Sequence, residues 1–228
     1  MKIIDAHSHI DYITHRFQPD VVGTICCATT ESQWQILANL MKSDLCVFGA
    51  FGVHPWFVDD TDIGFIDKLE NLLCENPNFM VGEIGIDKYK PNIDKQTDFF
   101  EKQFDLAVKY RRTVSLHCVG AWDKILHILK KYKQSYLPNI IAHAYSGNMD
   151  ITKSLLNNQK IFFSFNKIDI SHDLQRISQI PANRILVESD AKQNIDLISL
   201  INKISEIKNE DNISGIIYDN AKTVIDNE

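Results

Sequence analysis

Histidines and carboxylates stand at the ends of several apolar runs in this chain of 228 residues. These residue types bind divalent metal ions, and a charge or imidazole that ends a buried run is costly unless it is paired or coordinated. His7 and His9 follow the first run. Because residues i and i+2 of an extended segment point the same way, both imidazoles can reach one ion. The candidate metal ligands, in chain order, are His7, His9, Glu83, His117, His143 and Asp190.

Each of these residues alone also has an ordinary structural explanation. Glu83 could be a buried ion-pair partner, and Asp190 could cap the helix that follows it. His117 and His143 could be hydrogen-bonded core histidines. Their shared position at the ends of apolar runs is hard to obtain by accident. Together they supply ligands for two divalent ions bridged by Glu83, or for a single ion with hydrogen-bonding partners.

The apolar runs read as buried strands, and they alternate with segments of helical spacing. The predicted strands are Lys2–Ala6, Val21–Ala28, Leu45–Phe51, Phe79–Ile84, Thr113–His117, Asn139–Ala142, Lys160–Phe165 and Arg184–Glu188. The predicted helices are Ser32–Met41, Asp62–Cys74, Lys95–Lys109, Ala121–Lys131, Ile151–Asn157, Asp196–Lys208 and a short tail near Tyr218–Ile225. Near-continuous apolar strands separated by helices indicate a parallel sheet covered on both faces.

Right-handed crossovers leave two arrangements for these strands, a closed eight-stranded barrel or an open doubly wound sheet. No glycine-rich phosphate loop follows the first strand, which weakens the open sheet. The chain has neither a long linker nor a repeat. We therefore predict an α/β fold, a single TIM-like (β/α) barrel domain spanning residues 1–228. In a barrel the carboxyl ends of all strands meet at one mouth, where the six candidate ligands are expected to converge.

The same residues make the chain resemble the TatD family of metal-dependent hydrolases, which are relatives of the amidohydrolase barrels. The matching segments are DAHSH at 5–9, GVHP at 52–55, GEIGID at 82–87, His117, HAYSG at 143–147, ESDA at 188–191 and NAK at 220–222. The resemblance implies a TIM-like barrel and, from several family members, metal-dependent deoxyribonuclease activity. It also implies two ion sites, one formed by His7, His9, Glu83 and Asp190, the other by Glu83, His117 and His143.

Two departures from the family pattern concern substrate capture rather than metal binding. Val119 stands where the family often has an arginine, two positions after His117. The family usually has a proline and a loop with basic residues soon after the aspartate that matches Asp190. Here Lys192 leads almost directly into a helix, so this loop is predicted to be short.

The predicted reaction centre is a water molecule activated by metal. A divalent ion lowers the pKa of a coordinated water, so that hydroxide forms near neutral pH. Asp190 is predicted to position this water and accept its proton, and Glu83 is predicted to act as the shared ligand. Mixed nitrogen and oxygen ligands suit one or two ions of Zn, Mn, Fe or Ni, whereas Mg is less natural with four histidines.

Other residues near the strand ends could contact substrate. His54 follows the third strand and could touch substrate or a group that supports the metal ligands, or only shape the turn before Pro55. Trp56 and Tyr145 could stack a base or ring, or could fill space between loops. Lys192 is the fourth candidate substrate-binding residue. Further cations that follow strand ends and could engage phosphate are Arg16, Lys88, Lys90 and Lys167.

Composition bears on the partners and the location. The net charge is −6 and the pI is about 5.7, so binding to duplex DNA by electrostatics alone is disfavoured, although a metal site could supply positive charge locally. No apolar run approaches the roughly 20 residues of a membrane span, and no secretory signal is evident. A cytoplasmic protein without membrane contact is expected, with its five cysteines reduced.

The favoured function is a metal-dependent hydrolase that acts on a phosphodiester, with DNA or another phosphorylated substrate as its partner. A second hypothesis is a hydrolase of another small ester, amide or phosphate on the same metal core. A third is a non-catalytic metal-binding barrel, which predicts no metal-dependent turnover.

Overall fold

The computed structural model describes residues 1–11, 20–168, 170–190 and 195–227. Its eight strands follow one another in space in chain order, and each is parallel to its neighbour. They are β1 (Ile3–His9), β2 (Val21–Cys27), β3 (Val47–Phe51), β4 (Met80–Asp87), β5 (Val114–Val119), β6 (Ile140–Ala142), β7 (Ile161–Phe165) and β8 (Ile185–Val187). All eight predicted strands are present.

Contacts between β1 and the residues just after β8 bring the first and last strands together. The backbone N–H of Asp190 donates to the carbonyl of His7 at 3.0 Å. The N–H of Ser189 donates to Oδ1 of Asp5 at 2.9 Å. The eight strands therefore form a nearly closed barrel, and their carboxyl ends surround one mouth. This confirms the TIM-like barrel and excludes the open doubly wound sheet.

Helices cover the outside of the barrel. Those of the described ranges are α1 (Glu31–Ser43), α2 (Phe65–Glu75), α3 (Ile93–Tyr110), α4 (Trp122–Leu129), α5 (Met149–Leu156), α6 (Ile170–Gln179), α7 (Leu197–Lys208) and α8 (Ile213–Asp226). Only α6 was not predicted, although its apolar residues Ile170, Leu174 and Ile177 stand at the helical spacing i, i+4 and i+7. Among the described residues, no helix is both long and apolar enough to cross a membrane.

The last helix, α8, closes the end of the barrel opposite the mouth. Its Ala221 and Val224 are fully buried against apolar side chains of the strands. The side-chain amide of Asn220 donates to the carbonyl of Ile185, the first residue of β8, at 2.8 Å. The hydroxyl of Thr113, just before β5, donates to the carbonyl of Val224 at 2.6 Å. Helix α8 thus binds the amino ends of the strands and leaves their carboxyl ends open for a site.

Three strands that carry candidate ligands extend beyond their predicted ends. Strand β1 continues to His9, β4 continues to Asp87, and β5 continues to Val119. Glu83 and His117 consequently lie within strands rather than at their last positions. Polar residues can continue a strand here because those that point into the mouth meet other polar groups instead of apolar core.

Candidate metal centre

Glu83 lies in the middle of a cluster of imidazoles contributed by four strands and the loops after them. Its carboxylate is buried. The imidazole nitrogens near its two oxygens are His117 Nδ1 (2.8 Å), His54 Nε2 (3.3 Å), His7 Nε2 (3.4 Å), His9 Nε2 (3.5 Å) and His143 Nε2 (3.6 Å). The structure therefore brings together the four predicted histidine ligands and Glu83, and it adds His54 to them.

The ionisation state of Glu83 is set by these imidazoles. Burial alone would raise the pKa of the Glu83 carboxyl, but the imidazoles of His54, His7 and His143 outweigh burial and hold this pKa well below its ordinary value. Glu83 is therefore ionised at neutral pH. Its Oε2 faces His7, and its Oε1 faces His54 and His143. A carboxylate with ligand-type nitrogens on both oxygens can bridge two cations.

His7, His9 and Glu83 offer three ligand atoms at the spacing that a single ion requires. The Nε2 atoms of His7 and His9 are 3.3 Å apart, and they lie 3.4 and 3.5 Å from Glu83 Oε2. Ligand atoms placed about 2.1 Å from an ion in tetrahedral directions are about 3.4 Å from each other. His9 Nδ1 lies 3.1 Å from the carbonyl oxygen of Cys27, and His7 Nδ1 lies 3.0 Å from Ser115 Oγ. These contacts hold both Nε2 atoms toward Glu83, so the three residues fit a divalent ion.

His143, His7 and Asp190 form a second group of donors next to the first. Their ligand atoms all lie within 4.8 Å of one another. His143 Nε2 is 3.7 Å from Asp190 Oδ1, and the His143 ring stacks on the His7 ring with 3.7 Å between centroids. Because His7 belongs to both groups, Asp190 adjoins the donors of His9 and Glu83.

Glu188 is a buried carboxylate that holds His143. Its Oε1 lies 2.8 Å from His143 Nδ1 and also accepts the backbone N–H of Ala144 at 2.9 Å. Alternation along a strand that included Glu188 would point this side chain away from the mouth. Strand β8 ends at Val187, however, so alternation does not apply to the residue after it. Burial would lower the pKa of His143, but Glu188 and Glu83 outweigh burial and raise this pKa to about 10.

His54, Glu83 and His117 form the third group of donors. His54 precedes a short 3₁₀ helix, Pro55–Phe57, and its Nδ1 accepts the backbone N–H of Trp56 at 3.1 Å. A neutral imidazole that accepts at Nδ1 carries its proton on Nε2. In this tautomer His54 donates to Glu83 and offers no free nitrogen to an ion. The geometry thus favours a role in which His54 holds the Glu83 carboxylate and does not itself bind an ion.

Asp190 follows β8 at the mouth, and its carboxylate has a defined neighbour. The side-chain amide of Asn166, just after β7, donates to Asp190 Oδ2 at 3.0 Å. The other carboxylate oxygen, Oδ1, is the one near His143. Asp190 is also held by its backbone bond to His7. The carboxylate therefore has one oxygen toward the cluster and one oxygen toward Asn166.

The candidate substrate residues have different surroundings. Trp56 is half exposed, and its indole N–H donates to Asp87 Oδ2 at 2.7 Å. Tyr145 is buried, its hydroxyl is paired with Thr152 Oγ1 at 2.8 Å, and it lines a cavity of about 200 Å³. Lys192 lies outside the described residues. The substrate roles of Trp56, Tyr145 and Lys192 stay predictions.

Sequence reasoning missed three residues of this region. Glu188, Asn166 and Asp87 are not among the candidate residues that the sequence predicted. Asp87 Oδ2 lies 3.8 Å from His117 Nε2. The available signal for all three was a polar side chain just after, or at the end of, a buried strand, which is the same signal that identified the ligands.

Comparison with known proteins finds a family model and several relatives that are similar to this chain. A sequence model described as "TatD related DNase" matches residues 4–226. The human 3'-5' RNA nuclease TATDN2 is 30% identical over 170 residues, which cover 71% of this chain but only 22% of the human protein's own length. An uncharacterized metal-dependent hydrolase of Buchnera aphidicola, BU355, is 24% identical over 216 residues, covering 84% of this chain and 81% of that protein.

Among solved structures, the TatD homolog YJJV of Escherichia coli is similar in fold. It superposes with a TM-score of 0.86 at 20% sequence identity, covering 97% of each chain. Its likeness supports the same overall fold for the two chains.

Proposed function

This chain belongs to the TatD-related DNase family of metal-dependent hydrolases, and from that premise we propose that it hydrolyses phosphodiester bonds of nucleic acid at the Glu83 cluster. The observation that carries the proposal is the buried Glu83 carboxylate, whose two oxygens are both faced by imidazole nitrogens. Such a donor set suits divalent cations of the Zn, Mn, Fe or Ni type.

We assign the ligands as two overlapping sets. His7, His9, Glu83 and Asp190 would hold one ion, supported by the 3.3–3.5 Å spacing of the first three donors. Glu83, His117 and His143 would hold a second ion. The 3.6 Å approach of His143 to Glu83 is near the spacing of two ligands of one ion, whereas the 2.8 Å approach of His117 is a hydrogen bond that would lengthen when both atoms bind an ion.

A bound divalent ion would make a water molecule acidic enough to act as a nucleophile near neutral pH. The chain's own residues position and deprotonate it. Asp190 accepts the proton at Oδ1, while Asn166 holds Oδ2 and so fixes the plane of the carboxylate. Glu188 fixes the ring of His143 through Nδ1. His54 donates to Glu83 and keeps that carboxylate in place.

The substrate is inferred from the relatives. The family is described by deoxyribonuclease activity, and the human relative is named as an RNA nuclease. A polynucleotide phosphodiester is the chemistry common to both. The alternative is a small ester, amide or phosphate on the same metal core. We also propose a cytoplasmic location, because all five cysteines are free thiols, which reducing compartments favour.

The test is cleavage of end-labelled DNA and RNA oligonucleotides after the protein is stripped with chelator and reloaded with Zn, Mn, Fe, Ni or Mg separately. Elemental analysis of the same samples counts the ions. We expect cleavage with at least one ion, none with chelator, and a loss of at least 100-fold in Glu83→Ala. Glu75→Ala, at the exposed end of α2, is the matched control and should behave as wild type.

Each result separates the hypotheses. Cleavage that persists in Glu83→Ala would mean that another site or a contaminant is responsible. Hydrolysis of a small phosphate ester or ester with no cleavage of either oligonucleotide would favour the alternative substrate. Ion binding without any turnover would favour the non-catalytic barrel, and absence of stoichiometric metal would overturn the proposal.

A further inference from the structure

Trp56 is an exposed aromatic residue beside a buried polar centre. Its side chain is 52% exposed, whereas the other two tryptophans, Trp34 and Trp122, are each 6% exposed. A single exposed apolar side chain is ordinary on a protein surface, so a binding role needs two further conditions, that the side chain is fixed and that it lies next to a site. Trp56 meets both conditions, as its contacts show.

The ring of Trp56 is held in one orientation at both ends. Its indole N–H donates to Asp87 Oδ2 at 2.7 Å, and its backbone N–H donates to His54 Nδ1 at 3.1 Å. Asp87 is itself fixed, because its backbone N–H donates to the buried Gln96 Oε1 at 2.8 Å and its Oδ1 accepts the N–H of Tyr89 at 2.9 Å. The exposed ring is therefore rigid, so little side-chain entropy is lost when a ligand packs on it.

The ring is also close to the candidate metal ligands. The centroid of the Trp56 ring lies 6.3 Å from that of His117, and Asp87 Oδ2, which holds the indole, lies 3.8 Å from His117 Nε2. A group attached to a phosphodiester bound at the Glu83 cluster would therefore lie within a few ångströms of Trp56. The neighbouring base of a polynucleotide is such a group.

Positive charge accompanies the ring. The ammonium of Lys90 lies 4.2 Å from the centroid of the Trp56 ring, and Lys88, Tyr89 and Lys90 are all exposed on the loop between β4 and α3. An aromatic surface next to flexible cations is the combination by which proteins bind polynucleotide strands, through stacking on the ring and contacts to phosphate. The chain as a whole is acidic, so this positive charge beside the ring is a local feature and not a general property of the surface.

We propose that Trp56 is a stacking platform for the base next to the scissile phosphodiester, with Asp87 as the residue that positions the ring. Lys90 leaves the ring when the base arrives and contacts the flanking phosphate. The proposal rests on the proposed nuclease function, and it adds a specificity-determining residue to that function. The proposal predicts that the bases of the strand contribute to binding affinity as well as the charged phosphates.

Stacking is tested directly by a cycle that combines one change in the protein with one change in the oligonucleotide. One change is Trp56→Ala, and the other replaces the bases of a cleaved single-stranded oligonucleotide with abasic sites, which keeps the phosphates. For wild type, KM should rise about tenfold on the abasic strand. For Trp56→Ala, KM should be high on both strands and nearly equal, while Trp56→Phe should recover most of the difference. Tyr136→Ala removes another exposed aromatic residue, before β6 at the opposite end of the barrel, and serves as control.

The cycle overturns the proposal if Trp56→Ala raises KM by the same factor on both strands, because Trp56 would then act only on local structure. The effect of stacking should fall on KM rather than kcat. DNA and RNA versions of the strand show whether the sugar matters to this contact. A loss of kcat in Trp56→Ala with KM unchanged would also contradict the stacking proposal.

Fluorescence supplies a readout that does not need turnover. Because Trp34 and Trp122 are buried, an oligonucleotide that stacks on Trp56 should quench the most solvent-exposed part of the emission. The measurement uses metal-loaded protein and a cleavage-resistant phosphorothioate strand. Quenching in wild type but not in Trp56→Phe is expected. If no substrate is cleaved but this quenching occurs, the nuclease proposal fails and the platform stands; if cleavage occurs without quenching, the platform fails alone.

Discussion

Glu188 Oε1 lies 2.8 Å from His143 Nδ1, and both side chains are buried beside the metal-ligand cluster. A carboxylate at Nδ1 keeps the proton on that nitrogen and turns Nε2 toward Glu83 and Asp190. Carboxylate partners of this kind orient metal-binding histidines and make them more basic. The relationship gives Glu188 a part in metal binding although it is not itself among the proposed ligands.

We therefore expect Glu188→Gln to weaken metal binding by about 10- to 100-fold, because His143 loses its anionic partner while the volume of the side chain is kept. Metal titration of chelator-stripped protein, followed by calorimetry, measures the dissociation constant. Glu75→Gln, on the exposed end of α2, provides the control. Unchanged affinity in Glu188→Gln would show that the ion pair with His143 has only a structural role.

The pH dependence of metal binding should also reveal His143. In the metal-free protein, burial lowers the pKa of His143, but Glu188 and Glu83 outweigh burial and raise this pKa to about 10. At pH 7 the imidazole is then protonated, and it must lose a proton before Nε2 can bind an ion. Burial lowers the pKa of His7, and the pKa of Glu83 is held low, so these two groups are already deprotonated.

Metal binding at pH 7 should thus release about one proton from His143, and the affinity should rise about tenfold per pH unit below pH 10 from this group alone. Calorimetry in two buffers with different heats of ionisation counts the protons. Glu188→Gln should release fewer, because the pKa of His143 falls when its main anionic partner is removed. Equal release in both proteins would contradict this assignment.

The barrel could be predicted because each of its eight strands is a recognisable apolar run. The candidate ligands could be predicted because the strand ends converge in that fold. The sequence could not predict contacts made beyond a strand end. The orientation of Glu188 could not be predicted, because β8 stops one residue before it and the exact end of a strand depends on tertiary contacts. The role of His54 depends on its tautomer, which the bond from Trp56 sets and which no spacing encodes.

Asn166 should matter for catalysis more than for metal retention. Its amide donates to Asp190 Oδ2 at 3.0 Å, so removing it frees the proton-accepting carboxylate to rotate. A hydrogen bond to a charged group contributes about 1.5–3 kcal/mol, and we expect Asn166→Ala to lower kcat by about tenfold. Asn39→Ala, on the exposed face of α1, is the control. Metal content and KM measured beside kcat should stay near wild type, and a parallel loss of metal would contradict the assignment.

Gln103 of α3 fixes the loop that carries His54. It is fully buried, its Oε1 accepts the backbone N–H of Val53 at 2.7 Å, and its Nε2 donates to the carbonyl of Val53 at 3.2 Å. Gln103→Leu keeps much of the volume but leaves two buried backbone groups of Val53 without partners. Each such group costs about 1–3 kcal/mol, so the free energy of unfolding should fall by about 2–4 kcal/mol.

Urea denaturation of metal-free protein measures this loss, since bound metal would otherwise add its own stabilisation. Gln35→Leu is the matched control, because Gln35 is exposed on α1 and bonds Asn39 at 3.0 Å on the same helix. Exposed replacements of this kind usually change stability by less than about 0.5 kcal/mol. If Gln103→Leu is no less stable than Gln35→Leu, the hydrogen bonds of Gln103 do not hold the His54 loop, because the unpaired backbone of Val53 would then carry no measurable cost.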